Sequence, residues 1–201
     1  MLDDIDFMSA EINNELIRTL LLDVDDQLLN GDNVGQNLNG LINMATAFAG
    51  GTFAGTVDNA NIVDVLVVAL NQIAIANQSA SHIIMHPSDV TSLKLTKVSA
   101  TDRRYVERLA MVGGELSLDG IPIIANTGIA QDTYLVGDMN RATVFDKGAI
   151  GIEVGLDSDD FTKNLRTVIA EWRGLQRIKV NDRTAFVTGS FSVDTAVLET
   201  P

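Results

Sequence analysis

The sequence contains no cysteine. That absence removes disulfides, thiolate metal sites and a cysteine nucleophile together, and it fits a reducing compartment without demanding one. Aromatic residues supply only 5% of the chain, so the core must come mostly from Val, Ile, Leu and Ala. Bases are scarce too: 14 Lys and Arg stand against 27 Asp and Glu, a net charge of −13. A surface of that sign repels phosphate, which argues against sequence-specific binding of DNA or RNA. No apolar run reaches the roughly 20 residues a membrane span requires. The strongest, Val65 to Leu70 and on to Ile75, is interrupted by Asn71 and Gln72. Residues 1–8 are acidic and lack the basic start of a secretory signal.

The fingerprints of common chemistry are missing as well. There is no GxSxG elbow, P-loop or GxGxxG turn. His82 and His86 have HxxxH spacing, but Ile83 replaces the Glu of a zincin and the segment reads as a strand. Asp23, Asp25 and Asp26 resemble the start of a calcium loop. Leu28 occupies the position where that loop needs Gly, so a solvated helix face is the better reading. Asp157, Asp159 and Asp160 form a polar turn with too few ligands for a firm cation site. The expectation is therefore no catalytic residue, no metal and no cofactor.

What is present is strong periodicity. Met8, Ile12, Leu16, Leu20, Val24 and Leu28 recur every four residues, flanked by Ile5, Ile17 and Leu21. This predicts an amphipathic helix over 4–29, about 39 Å long, stopped at Asn30-Gly31. So long a stripe needs a continuous partner surface, which the rest of the chain is expected to provide. Residues 31–57 are rich in Gly, Asn and Thr and read as loops around an apolar segment at Leu41–Phe48. Helical spacing returns over 59–77, with Ile62, Leu66, Leu70 and Ile73 on one face. His82–His86 reads as a buried strand, and Pro87-Ser88-Asp89 opens a short helix to Leu95.

From about Leu116 the period shifts towards two. Gly120–Ala125, Thr133–Val136, Ala142–Phe145 and Ile150–Val154 are predicted strands. A long strand over Leu165–Val180 and another over Ala185–Val193 are expected to pair through a hairpin turn at Asn181-Asp182-Arg183. The layout is an α+β fold in which a long helix and long terminal strands flank an inserted mixed α/β lobe.

Charge is segregated along the chain. Residues 1–40 carry nine acids against Arg18, and residues 163–183 carry six bases against Glu171 and Asp182. Asp23, Asp25 and Asp26 are candidates to meet Arg166, Arg173 and Arg177, within the chain or between copies. The alternative is two solvated faces, since exposed pairs contribute only about 0–1 kcal/mol each.

Three stretches in this order resemble the major capsid proteins of tailed phages, whose fold encapsulin shells share. They are LLLDVDDQLLNGDNVGQNLNGLIN, ASHIIMHPSDVTSLKL, and the run from LDGIPIIANTG through YLVGD to AFVTGSF. The resemblance implies a spine helix and a peripheral lobe over 1–54 and 161–201, with an axial lobe over 55–160. It implies self-assembly into hexamers and pentamers of an icosahedral shell around DNA, as a virion component made in the bacterial host cytoplasm. Expected partners are other copies, with scaffold, portal and decoration proteins, and no membrane.

The N-terminal arm and extended loop that precede the spine helix in this family have no counterpart here, which reads as a trimmed fragment. In a cross-linking subset, a Lys on that loop joins an Asn with the aid of a Glu, and Asn164 and Glu171 fall at those places. Asn164 is equally a turn residue and Glu171 an ordinary partner for Arg173. Two other function classes stay open: an encapsulin-type compartment shell, and a cation-dependent enzyme using the acidic turns.

Overall fold

The computed structural model describes residues 2–96, 109–112, 115–148, 150–163 and 166–200. Helix α1 (Leu2–Asn30) ends where the backbone folds back on itself. Gly31 N donates to Gln27 O, and Gly40 N donates to Gly31 O at 2.8 Å. A Cβ on Gly31 would lie 2.3 Å from Leu38 O, and one on Gly40 would lie 2.4 Å from Gly31 N. Both glycines are needed because two backbones touch there. Helix α2 (Leu41–Met44) and the two-residue strand β1 (Thr46–Ala47) follow.

Helix α3 (Ile62–Ile75) begins with a capping box, in which Asn61 Oδ1 accepts from Val63 N and Asp64 N while Asp64 accepts from Asn61 N. Its buried face is wider than the expected stripe. Val63, Val65, Leu66, Val68, Ala69 and Ile73 are all buried, because a helix so apolar is enclosed on most sides. Strand β2 (His82–Met85) leads to α4 (Pro87–Leu95), capped by His86 Nδ1 accepting from Ser88 N.

Strands β3 (Leu109–Val112), β4 (Glu115–Leu118), β5 (Ile121–Ala125) and β6 (Thr133–Gly137) come next, so alternation starts before Leu116. Then come β7 (Ala142–Asp146), β8 (Gly151–Gly155), the short helix α5 (Asp160–Lys163), β9 (Thr167–Glu171) and β10 (Gly174–Ile178). Strand β11 (Phe186–Ser190) runs directly into helix α6 (Phe191–Leu198).

Seven strands form one mixed sheet in the order β1-β11-β6-β2-β5-β4-β3. The β1–β11 and β2–β5 pairs are parallel and the others antiparallel. Side chains alternate between two cores. Ile83, Met85, Tyr134, Val136 and Val187 pack with α3, α4 and α6. Leu135 and Phe186 face the other side, with Leu29, Met44, Ile129, Ile178 and Ala185.

Three expectations are corrected. Of the stretch Leu165–Val180, Leu165 lies outside the described residues and the rest holds two strands, β9 and β10, separated at Trp172-Arg173 and paired with β8 and β7. Asn181-Asp182-Arg183 lies in a 3-10 turn, Val180–Ala185, and not in a hairpin. None of the three has the positive φ that a tight two-residue hairpin needs. Finally, β11 leaves β10 and pairs with β1 and β6, and Phe191–Val193 belongs to α6. Phe186 and Val187 are both fully buried, on opposite faces, and only an interior place in the sheet covers both.

A Cβ at Gly137 would lie 2.3 Å from Cδ1 of the buried Phe186 ring. Gly137→Ala should therefore cost about 1–3 kcal/mol through overpacking, read as a lower denaturation midpoint. Gly151→Ala, with open space around it, should stay within about 0.5 kcal/mol.

Candidate interaction surface

Strands β7 to β10 build a long two-stranded ribbon outside the main sheet. Its register runs from Ala142↔Ile178 to Asp146↔Gly174, then from Gly151↔Glu171 to Gly155↔Thr167. At the break, Lys147 N donates to Arg173 O at 3.0 Å. Local sequence makes this break. Gly148 takes φ 153°, and the Trp172 ring lies so close over Gly174 that a Cβ there would sit 2.0 Å from it.

Arg141 fixes the base of the ribbon, binding Asp138 at 3.1 Å and Asp182 at 2.6 Å. The tip is closed by the acidic turn. Asp160 accepts from Asp157 N and from Thr167 Oγ1, and Asp159 pairs with Lys163. The Thr167 hydroxyl, then the Asp157 amide, hold the Asp160 carboxyl below the usual carboxylate range. These acids are thus engaged in local closure. Among the described residues no three His, Asp or Glu side chains converge as metal ligands. His82 and His86 have separate tasks: His82 Nδ1 meets Ser81 Oγ at 2.9 Å, and His86 caps α4.

A two-stranded ribbon is marginal on its own, and this one leaves large apolar groups in solvent. Phe145, Val154, Ile169 and Leu175 are exposed along it, and Phe161 at the tip is 81% exposed. The N-terminal half of α1 is in the same condition. Met8 is 60% exposed and Ile12 is also exposed; among the described residues of the helix only Leu29 is fully buried. The expected continuous partner for the α1 stripe is therefore not provided by the described part of the chain. The described residues cover the stripe towards its C-terminal end, where α1 meets α2 and β9. Aligned apolar rows of this kind mark an interaction surface.

Between α1 and the ribbon lies an open groove of about 630 Å³, walled by Leu20, Val24, Leu38 and Trp172. Asp23 lines it from the helix, and Glu171 and Arg173 line it from the ribbon. Of the six charged residues singled out from sequence, the fold thus brings Asp23 and Arg173 to one groove, and no ion pair under 4.0 Å joins them. Asp25 and Asp26 are exposed on the helix, where Asp26 accepts from Asn30 Nδ2, which also donates to Gly128 O. Arg166 and Arg177 are exposed on the ribbon, Arg177 opposite Thr143. Glu171 pairs with Gly151 in the ladder, and Asn164 lies outside the described residues. Sequence reasoning missed Trp172. Its signal was a lone Trp two residues before a Gly in an otherwise strand-like run.

Removing the clamp with Arg141→Ala should loosen the ribbon base by about 1 kcal/mol, the low end for charge-assisted bonds because the site is partly exposed. Hydrogen exchange should speed up in Thr143 and Arg177 while α3 stays protected.

The Phage capsid family model matches residues 1–190. Over 195 residues the chain is 32% identical to the major capsid protein of Enterobacteria phage HK97, an alignment covering 96% of this chain and 49% of that protein. The chain thus spans about half of that relative's length. Among solved structures, the capsid of an empty GTA particle superposes with a TM-score of 0.67 at 16% identity, over 91% of this chain and 66% of that one. Gordonia phage Cozz gives 0.65 at 17% identity, over 91% and 63%. The holo-SrpI encapsulin complex from Synechococcus elongatus gives 0.59 at 14%, over 92% and 64%. These structural likenesses carry the fold.

Proposed function

The chain belongs to the phage capsid family, and from that premise we propose that it is the shell-forming part of a subunit that self-assembles into hexamers and pentamers of an icosahedral phage or prophage capsid around DNA. The observation that carries this reading is the family match over residues 1–190. The uncovered α1 stripe and the apolar ribbon support it, because both are surfaces that another subunit could bury. The role is structural. An encapsulin-type shell rests on fold likeness at 14% identity, whereas the phage reading rests on 32% sequence identity over nearly the whole chain.

In this reading residues 1–54 and 161–201 form the peripheral lobe and 55–160 the axial lobe. The two share one sheet, since β11 sits between β1 and β6. Asp23, Asp25 and Asp26 of one copy would face Arg166, Arg173 and Arg177 of a neighbour, with Asp23 and Arg173 at the rim of the groove. Where cross-linking occurs, Asn164 would be the acceptor and Glu171 its aid; denatured shells would then run as multimers. Scaffold, portal and decoration proteins are further partners, and the site of action is the virion after synthesis in the host cytoplasm. Among the described residues no helix is long and apolar enough to cross a membrane.

Electron microscopy with light scattering of the full-length gene product tests the reading. Shells or capsomer rings are expected, and a monodisperse monomer under all conditions would overturn it. Arg173→Glu should lower the assembled fraction and Asp23→Lys in the same chain should restore part of it. Assembly should weaken as salt rises, because exposed charges are screened over about 10 Å at 0.1 M ionic strength. Salt-insensitive assembly would remove the proposed charge pairing.

A further inference from the structure

Helix α6 carries a carboxylate where its neighbours offer no base. Asp194, in its first turn, is 7% exposed. The fully buried Tyr134 of β6 donates its hydroxyl to Asp194 Oδ2 at 2.7 Å. The carboxyl lies directly on strand β11, where a Cβ at Gly189 would sit 1.9 Å from Oδ2.

A second carboxylate holds the same turn. Asp132 accepts from Ser190 Oγ, Ser192 Oγ and Ser192 N, and its own carbonyl accepts from Phe191 N. Asp132 N in turn donates to the buried Asp89 of α4. Of the other packed elements, β11 and the segment 41–57 contain no charged residue. Helix α3 contributes only Asp64, which is occupied by its capping box. On α4, Lys94 is exposed and His86 accepts from Ser88 N. Past α6, Glu199 is exposed and Asp58 accepts from Thr200.

We propose that Asp194, buried against Tyr134 without a base and near Asp132, makes a proton-sensitive latch on α6: the Tyr134 hydrogen bond favours the ionised carboxyl, but the buried, acid-flanked site outweighs it, so α6 is held most firmly when Asp194 carries a proton. Burial pushes the Asp194 carboxyl above its ordinary value of 3.8, and the Asp132 charge adds to that, against hydrogen bonds from Tyr134 and Ser190. Burial, then Asp194 itself, pushes the Tyr134 phenol up, so it remains a donor. Burial also works to raise Asp132, but the hydrogen bonds from Ser190 and Ser192 outweigh it and hold that carboxyl low.

The signs follow from linkage. A raised carboxyl contributes stability that is present below 3.8 and is lost as pH rises through its folded value. The lowered Asp132 contributes stability that is present above 3.8 and is lost as pH falls through its folded value. The latch is therefore firmest near 3.8 and weakens as the pH rises through the folded value of Asp194.

Hydrogen exchange of amides 194–198 in the full chain, corrected for intrinsic rates, reads the latch directly. Their protection should fall as the pH rises from 3.8 through the folded value of the carboxyl, and protection that stays flat or rises there would overturn the latch. Asp194→Asn should abolish that slope, because its amide oxygen still accepts from Tyr134 but no longer titrates. An Asn variant that keeps the wild-type slope would overturn the latch. Carbon NMR titration of the Asp194 carboxyl gives an independent check should that variant misfold. Its midpoint should lie above 3.8 and move down in Asp132→Asn; a midpoint at or below 3.8 would equally overturn the proposal.

Discussion

The structure depends on two adjacent strands, β11 and β6, being buried on both faces. Tyr134 and Val136 feed one core while Leu135 between them feeds the other, and Phe186 and Val187 repeat the arrangement on β11. Fully burying such side chains stabilises by about 1.5–3 kcal/mol each, well above the worth of an exposed ion pair. Helices must therefore cover both faces: α3 and α6 on one, the end of α1 and α2 on the other. Gly137 shows how little slack remains, since the Phe186 ring occupies the space any side chain would take.

Outside that double core the same chain behaves differently. The ribbon of β7 to β10 and α1 from Met8 to Ile12 have exposed apolar groups that no second layer covers among the described residues. One end of each is anchored firmly, the ribbon through Arg141 and Ile178 and the helix through Leu29, Asn30 and the Gly31–Gly40 contact. A rigid centre with two anchored but uncovered projections suits a subunit whose remaining burial comes from its neighbours. Asp23 of the acidic helix and Arg173 of the ribbon line the same groove between these projections.

Much of the architecture was legible because its signals are local. The α1 stripe and its Asn30-Gly31 stop, the helical spacing of α3, and the Pro87 start of α4 each lie within a few residues of what they control. Strands β5 to β8 were legible for the same reason. The candidate site was legible in part. Of the acidic and basic residues marked in the sequence, Asp23 and Arg173 line one groove, and Trp172 went unnoticed because a lone aromatic in a strand-like run looks like core.

Composition, charge segregation and short-range periodicity were enough to establish an α+β fold without a recognisable catalytic motif, and the order of elements pointed to the capsid family. Pairing was decided by tertiary structure alone. Strand β10 takes its partner from β7, more than thirty residues upstream, and β11 joins β6 because only an interior position covers both its faces. Helix α6 is the sharpest case. Its sequence, FSVDTAVL, alternates like a strand, and its first turn is held by Asp132, sixty residues away from Ser192. Local sequence can specify a turn or a stripe, but a cap supplied by a distant turn at the start of β6 exists only once the sheet has formed.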